Sequence, residues 1–184
     1  MKTKTTLGYL ATLVAGIALG LTVIGTAVAS PAGAKPARTA THHYTLAASA
    51  FAPDGLHDTA DDYFNQWDPA ELSNQDSGRC FNTGLSLPTG ATLKGVTVYY
   101  SAGTDVMFFE LNRQDLIDHT AIEMVSFDTA AGTGSTPTYT STYKRIPSQY
   151  GAVNMTGYAY SVGVCPLGNT TFSGLSITYT VPVS

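Results

Sequence analysis

Carboxylates crowd one stretch of this chain. Asp54, Asp58, Asp61 and Asp62 fall within a short run that also holds Gly55 and His57. The chemistry this suits is coordination of Ca²⁺, which takes about six to eight oxygens, backbone carbonyls included. The spacing is not that of an EF-hand loop, because Asp-x-Asp-x-Asp-Gly with its distal Glu is missing. Just beyond lie Tyr63, Phe64 and Trp67, the last being the chain's single tryptophan, with Asn65, Gln66 and Asp68 between and beside them. Aromatic faces stack on sugar rings while amides and carboxylates bond sugar hydroxyls, so Tyr63, Asn65, Trp67 and Asp68 form a candidate ligand-binding set. The competing role is an aromatic anchor that pins its own loop by burying apolar area. Catalytic signatures are absent: there is no Gly-x-Ser-x-Gly elbow and no His-Glu-x-x-His. His57 beside Asp58, His119 beside Asp118, and the carboxylates of Glu110 and Glu123 are separate pieces with no motif joining them. The expectation is a non-catalytic protein, with a small hydrolase of unlocated site as the alternative.

The elements that must position these residues read as strands. Leu175, Ile177, Tyr179 and Val181 alternate with Ser176, Thr178 and Thr180; Val96, Val98 and Tyr100 alternate with Thr97, Tyr99 and Ser101. Such alternation marks half-buried strands. Further strands are expected at 44–51, at 106–111 (an apolar run consistent with burial on both faces), at 139–145 and at 158–164. Residues 120–128 fit a strand or a short helix. Leu87-Pro88-Thr89-Gly90 reads as a turn before a strand. Residues 54–78 are rich in Asp, Asn, Gly and Pro and read as a long acidic loop, with one helical turn near Pro69 to Leu72. The sum is an all-β, antiparallel β-sandwich, jelly-roll-like, of about eight strands.

The N-terminus reads as an export leader. Lys2 and Lys4 precede an apolar run from Leu7 to Val28 that ends in Ala27-Val28-Ala29, with a second small-residue exit at Ala32-Gly33-Ala34. This is the pattern of a cleaved signal peptide, although the run also matches the roughly 20 residues that span a bilayer. The expected organisation is a signal peptide at 1–29, a flexible Pro/Ala linker at 30–41 and one domain at 42–184, secreted, with an N-terminal membrane anchor if the leader stays. The whole chain carries a formal charge of −4, and losing Lys2 and Lys4 makes the remainder more acidic. Nucleic-acid phosphates and anionic lipid are disfavoured as partners. Outside the cytoplasm two cysteines most simply pair, giving a Cys80–Cys165 disulfide.

The block from Leu87 to Tyr100, with Leu87-Pro88-Thr89-Gly90-Ala91 leading into Val96-Thr97-Val98-Tyr99-Tyr100, resembles a recurring opening in uncharacterised secreted actinobacterial β-sandwich proteins. So does the ending, Tyr158-x-Tyr160-x-Val162 followed by Leu175-x-Ile177-x-Tyr179. The resemblance implies a β-sandwich and brings no activity with it. Asp54-Gly55-x-x-Asp58-x-x-Asp61 also resembles the second half of a thrombospondin type-3 calcium repeat, without its first half. The reading at this level is a secreted binding module for a glycan or cell-surface component, with no cofactor except Ca²⁺ on the Asp cluster. A structural or assembly protein of the cell envelope is the alternative.

Overall fold

Alternation of branched apolar and hydroxyl side chains at the C-terminus produces the strand on which half of the molecule is built. Strand β11 (Thr171–Pro182) turns Leu175 and Ile177 fully inward, while Ser176 and Thr178 face the other way, half-buried. One side of β11 pairs antiparallel with β6 (Thr92–Ala102). Its other side takes β4 (Ala70–Asn74) at Thr171 and Phe172, then β1 (Thr39–Ala47) from Gly174 to Pro182. Adding β3 (Tyr63–Trp67) and β9 (Thr138–Arg145) completes a six-stranded sheet of order β3-β4-β11-β6-β9 with β1 beside β11. The second sheet has five strands: β2 (Ala52–Pro53), β5 (Phe81–Leu85), β10 (Tyr158–Pro166), β7 (Met107–Asp115) and β8 (Ala121–Asp128), in that order. The computed structural model describes residues 38–54, 63–67, 70–74, 79–132 and 138–183, with the backbone alone described at 63–67, 70 and 74. Every strand pairing among these residues is antiparallel.

The two sheets enclose one core. Phe172, Leu175, Ile177, Val96 and Val98 from the first meet Phe81, Phe109, Leu111, Val162 and Val164 from the second, all at zero exposure. Each set has the period of two that a strand with one buried face requires. Two ring pairs tighten the packing: Phe51 meets Phe172 edge-to-face at 4.9 Å, and Phe109 meets Phe127 at 5.0 Å. The expected all-β antiparallel sandwich is present, with eleven strands among the described residues rather than about eight. The disulfide joins Cys80 and Cys165, with Cα atoms 4.2 Å apart, where β5 and β10 lie side by side.

Three local readings are corrected. Part of the stretch 54–78 is a β-hairpin, β3 with β4, in register from Tyr63↔Asn74 to Trp67↔Ala70; Ala70 to Leu72, expected in a helical turn, are strand, and Pro69 lies outside the described residues. Turn-favouring composition yields here to pairing, because β11 offers β4 a backbone partner and buries Leu72 completely. Residues 39–41, expected in the linker, are strand for the same reason, since Thr39 to Thr41 pair with Pro182 to Thr180. Of the two alternatives for residues 120–128, strand is the one found, as β8 (Ala121–Asp128). The run from Val106 to Leu111 is buried on one face only, with Met107, Phe109 and Leu111 inward and Phe108 and Glu110 half-exposed. The turn at 88–90 is as expected: Ala91 N–H donates to the Pro88 carbonyl at 3.1 Å, and Gly90 takes the positive φ of 85° that favours glycine.

Candidate binding surface

The residues singled out in the sequence have different fates. Asp58, Asp61, Asp62, His57 and Asp68 lie outside the described residues. Asp54 follows β2, and its backbone N–H donates to the Cys80 carbonyl at 3.0 Å. Among the described residues no three His, Cys, Asp or Glu side chains converge as metal ligands would. Tyr63, Asn65 and Trp67 are alternate positions of β3, set by the backbone register opposite Asn74, Leu72 and Ala70. The Asp115–Thr120 segment is a tight turn in which Asp118 Oδ1 accepts from both the Thr120 N–H (2.8 Å) and its hydroxyl (2.6 Å). These bonds hold the Asp118 carboxyl below its ordinary value, and His119 sits at φ 61°. Glu110 lies on the outward face of β7 against Gly163, and Glu123 accepts from Ser126 at 2.6 Å.

A different set of aromatics stands out. Tyr99, Tyr139 and Tyr143 are 43%, 70% and 56% exposed, and all three lie on the outward face of the six-stranded sheet. Register places them together: Tyr99 pairs with Ser141, so Tyr139 and Tyr143 are its diagonal neighbours on β9. Two of the rings lie down on the sheet. A Cβ on Gly95 would meet the Tyr143 ring at 2.5 Å, so this ring lies over the glycine, which leaves the space it occupies. Tyr139 reaches across the sheet and donates its hydroxyl to Glu71 Oε1 on β4 at 2.6 Å. In between runs the cross-strand row Ser73, Thr171, Ser101. This bridge explains why Ser101 is buried on an outward face. It also leaves the Thr171 and Ser173 hydroxyls buried without a hydrogen-bond partner, a state that water or a ligand hydroxyl would relieve.

The floor between the tyrosines and β1 is made of Thr97, Ser176 and Thr178, with His43 Nδ1 beside the Thr178 hydroxyl at 3.3 Å. Charge on this face is confined to its margins, with Glu71 at one side and Arg145 at the other. The outward face of the second sheet differs, carrying Asn82, Gly84, Ser161, Gly163, Glu110 and Asn112 with no strongly exposed aromatic ring. Sequence reading missed the tyrosine face. The available signal was parity, since Tyr99 alternates with Val98 and Tyr100 and so must point away from the core.

Tyr139 supplies a pH signature. Its bond to the Glu71 carboxylate, then the charge of that carboxylate, raise its pKa above the ordinary 10.0. The protonated phenol is the form the folded state favours, so the bridge contributes fully below pH 10 and is lost as pH rises through the higher folded value. Spectrophotometric titration of tyrosinate is expected to show one late-ionising tyrosine that disappears in Tyr139→Phe and moves earlier in Glu71→Gln. A titration unchanged by both substitutions would contradict the bridge.

The fold and this surface define the class: a two-sheet antiparallel β-sandwich with an aromatic outer face. No protein-family description matches the chain, and no curated protein matches it significantly. Among solved structures it is similar to a xylan-binding module, CBM15, at TM-score 0.45 and 12% identity, covering 77% of this chain and 100% of that one. It is similar in the same way to the CBM36-1 domain of a multidomain xylanase from the hindgut metagenome of Trinervitermes trinervoides, at TM-score 0.45 and 11% identity over 74% and 96% of the two chains. A third is the GH26-CBM35 β-(1,4)-mannanase of Podospora anserina, at TM-score 0.42 and 14% identity over 77% of this chain. The chain spans 28% of that mannanase's length.

Proposed function

We propose that this protein is a non-catalytic glycan-binding module whose ligand lies on the outward face of the six-stranded sheet. The observation that carries this reading is the pair of tyrosines laid flat and exposed, Tyr143 over Gly95 and Tyr139 across to Glu71. A ring lying on a sheet presents its π face to solvent, which is the geometry for stacking on the C–H face of a sugar. The two are four strand residues apart, about 13 Å at 3.3 Å per residue, with Tyr99 between them. A floor of Ser and Thr hydroxyls supplies donors and acceptors without net charge, which suits a neutral rather than an acidic polysaccharide. The face runs toward the β3–β4 hairpin and meets it at Glu71; Tyr63, Asn65 and Trp67 stand at the register parity of core-facing Leu72, so they are not part of the proposed surface. Calcium on Asp54, Asp58, Asp61 and Asp62 is proposed as an accessory to binding. An extracellular, cell-surface setting accords with the disulfide.

The test is binding of the protein to a panel of neutral and acidic polysaccharides, followed by calorimetry on any that bind. Tyr139→Ala and Tyr143→Ala are each expected to weaken binding by about 1–2 kcal/mol, the range for removing an aromatic anchor. Gly95→Ala isolates the geometry: the new Cβ must lift the exposed Tyr143 ring off the sheet. Its stability cost is expected to stay below about 1 kcal/mol, since an exposed side chain can swing away, while affinity falls nearly as far as in Tyr143→Ala. No binding across the panel, or binding indifferent to all three substitutions, would refute the reading.

A further inference from the structure

Strand β9 is buried hardly at all. Seven of its eight residues are exposed and Thr142 alone is half-buried. Of its inward side chains, Lys144 reaches the other sheet with its ammonium 5.5 Å from the centre of the Phe127 ring, Thr142 shares a hydrogen bond of 3.1 Å with the Tyr100 hydroxyl, and Thr138 and Thr140 line a cleft of about 320 Å³ with Tyr100, Ala102 and residues 130–132. Ordering a strand costs about 1–2 kcal/mol of backbone entropy per residue, and side-chain burial in β9 offsets little of it. Its free edge is also unprotected. β9 runs along β6 from Gly95 to Ala102 without a bulge, is made of Thr, Tyr and Ser, lacks proline, and carries charge only at Lys144 and Arg145. The edges of the second sheet are blunted: β2 has two residues and ends in Pro53, while β8 has a bulge against β7 and the acids Glu123 and Asp128. A flat, bare edge of β-favouring residues is a template for another strand.

We infer that β9 pairs antiparallel with β9 of a second copy of this chain, about a two-fold axis through Thr142. A two-fold pairing of strands must set outward residues against outward residues. If most of β9 is to pair, only registers centred on Ser141 or on Thr142 meet that condition. The Thr142 register alone engages the charges. It sets the Arg145 guanidinium against the exposed Tyr139 ring at both ends of the seam, a cation–π pairing, and Lys144 against Thr140. The two lysines stay about 13 Å apart, beyond the Debye length of about 8–10 Å. The six-stranded sheets become one, and the tyrosines of both copies share one face, with Tyr143 of each opposite Ser141 of the other. The dimer stands independently of the glycan reading; only its use, two tethered surfaces engaging one polymer, rests on that reading.

Sedimentation velocity of the full chain without glycan tests the pairing, together with four substitutions at three exposed or half-buried β9 positions. The expected result is a concentration-dependent monomer–dimer equilibrium. Thr140→Glu places an acid against Lys144 and tightens the dimer, while Thr140→Lys places like charges there and loosens it. The two dissociation constants are expected to lie about tenfold apart. Thr142→Cys, on the axis, oxidises to a covalent dimer, and Thr138→Cys does not; the native cysteines are already bonded to each other. A monomer at every concentration overturns the inference, as do equal constants for Thr140→Glu and Thr140→Lys or equal cross-linking of the two cysteine variants. A dimer that binds no polysaccharide leaves this inference standing and removes the glycan reading; a monomer that binds one does the reverse.

Discussion

Replacing both Cys80 and Cys165 by alanine is expected to lower the unfolding free energy by about 4–5 kcal/mol. The bridge closes a loop with a sequence separation of 85, and in the chain-entropy account its effect comes from restricting the unfolded chain. Phe81 already pairs with Val164 in the antiparallel ladder of β5 and β10, so Cys80 and Cys165 are the next opposed pair. Strand β5 gains most, because on its other side it has only the two residues of β2. Urea denaturation of the double variant is expected to show the lower midpoint with an altered slope, since the unfolded state expands. The thermal midpoint should fall by roughly 10–20 °C for a domain of this size. A loss under about 1 kcal/mol would mean that residual structure in the unfolded chain already holds this loop closed.

Phe172→Ala is the second large effect, at about 3–5 kcal/mol. The ring has zero exposure, packs edge-to-face on Phe51, and lies level with Leu72 on β4 and Tyr100 on β6. It also sits beside the irregularity between Phe172 and Gly174. The consequence reaches the outer face. Strand β4 pairs with β11 through Thr171 and Phe172 only, so loosening this point frees the β3–β4 hairpin and with it Glu71, the partner of Tyr139. Hydrogen exchange at 63–74 is expected to quicken more than at 158–166. Phe172→Leu, which keeps most of the volume, is expected to cost less than about 1.5 kcal/mol. Equal protection of both segments in Phe172→Ala would show that the hairpin does not depend on this ring.

How much of this was legible in the chain varied with the range of the interaction. The alternation in β11 and β6 is local, and it assigned Val96, Val98, Leu175 and Ile177 to the core correctly. The Cys80–Cys165 bridge followed from the cysteine count and the apparent export leader, without knowledge of which strands are neighbours. The hairpin at β3 and β4 was hidden, because Asp, Asn and Pro around it favour turns and only β11, about a hundred residues later, supplies the pairing that makes it strand. The tyrosine face was hidden for the same reason. Parity points Tyr99 outward, but nothing local says that Tyr139 and Tyr143 will be its neighbours, or that glycine at 95 leaves room for a ring. Strand β9 itself gave a hint: Thr138 to Arg145 has no aliphatic residue on either face, the pattern of a strand that buries neither.

The position of β11 in the first sheet also sets an order of events. Strands β1, β4 and β6 all pair with β11, which is made after them, and for β1 it is the one partner strand among the described residues. During synthesis from the N-terminus, β4 can meet β3 and β6 can meet β9 before β11 is made, whereas β1 has no described partner strand until then. Strand β1, the first of the described strands, is therefore among the last to dock, and the centre of this sheet stays open until β11 arrives.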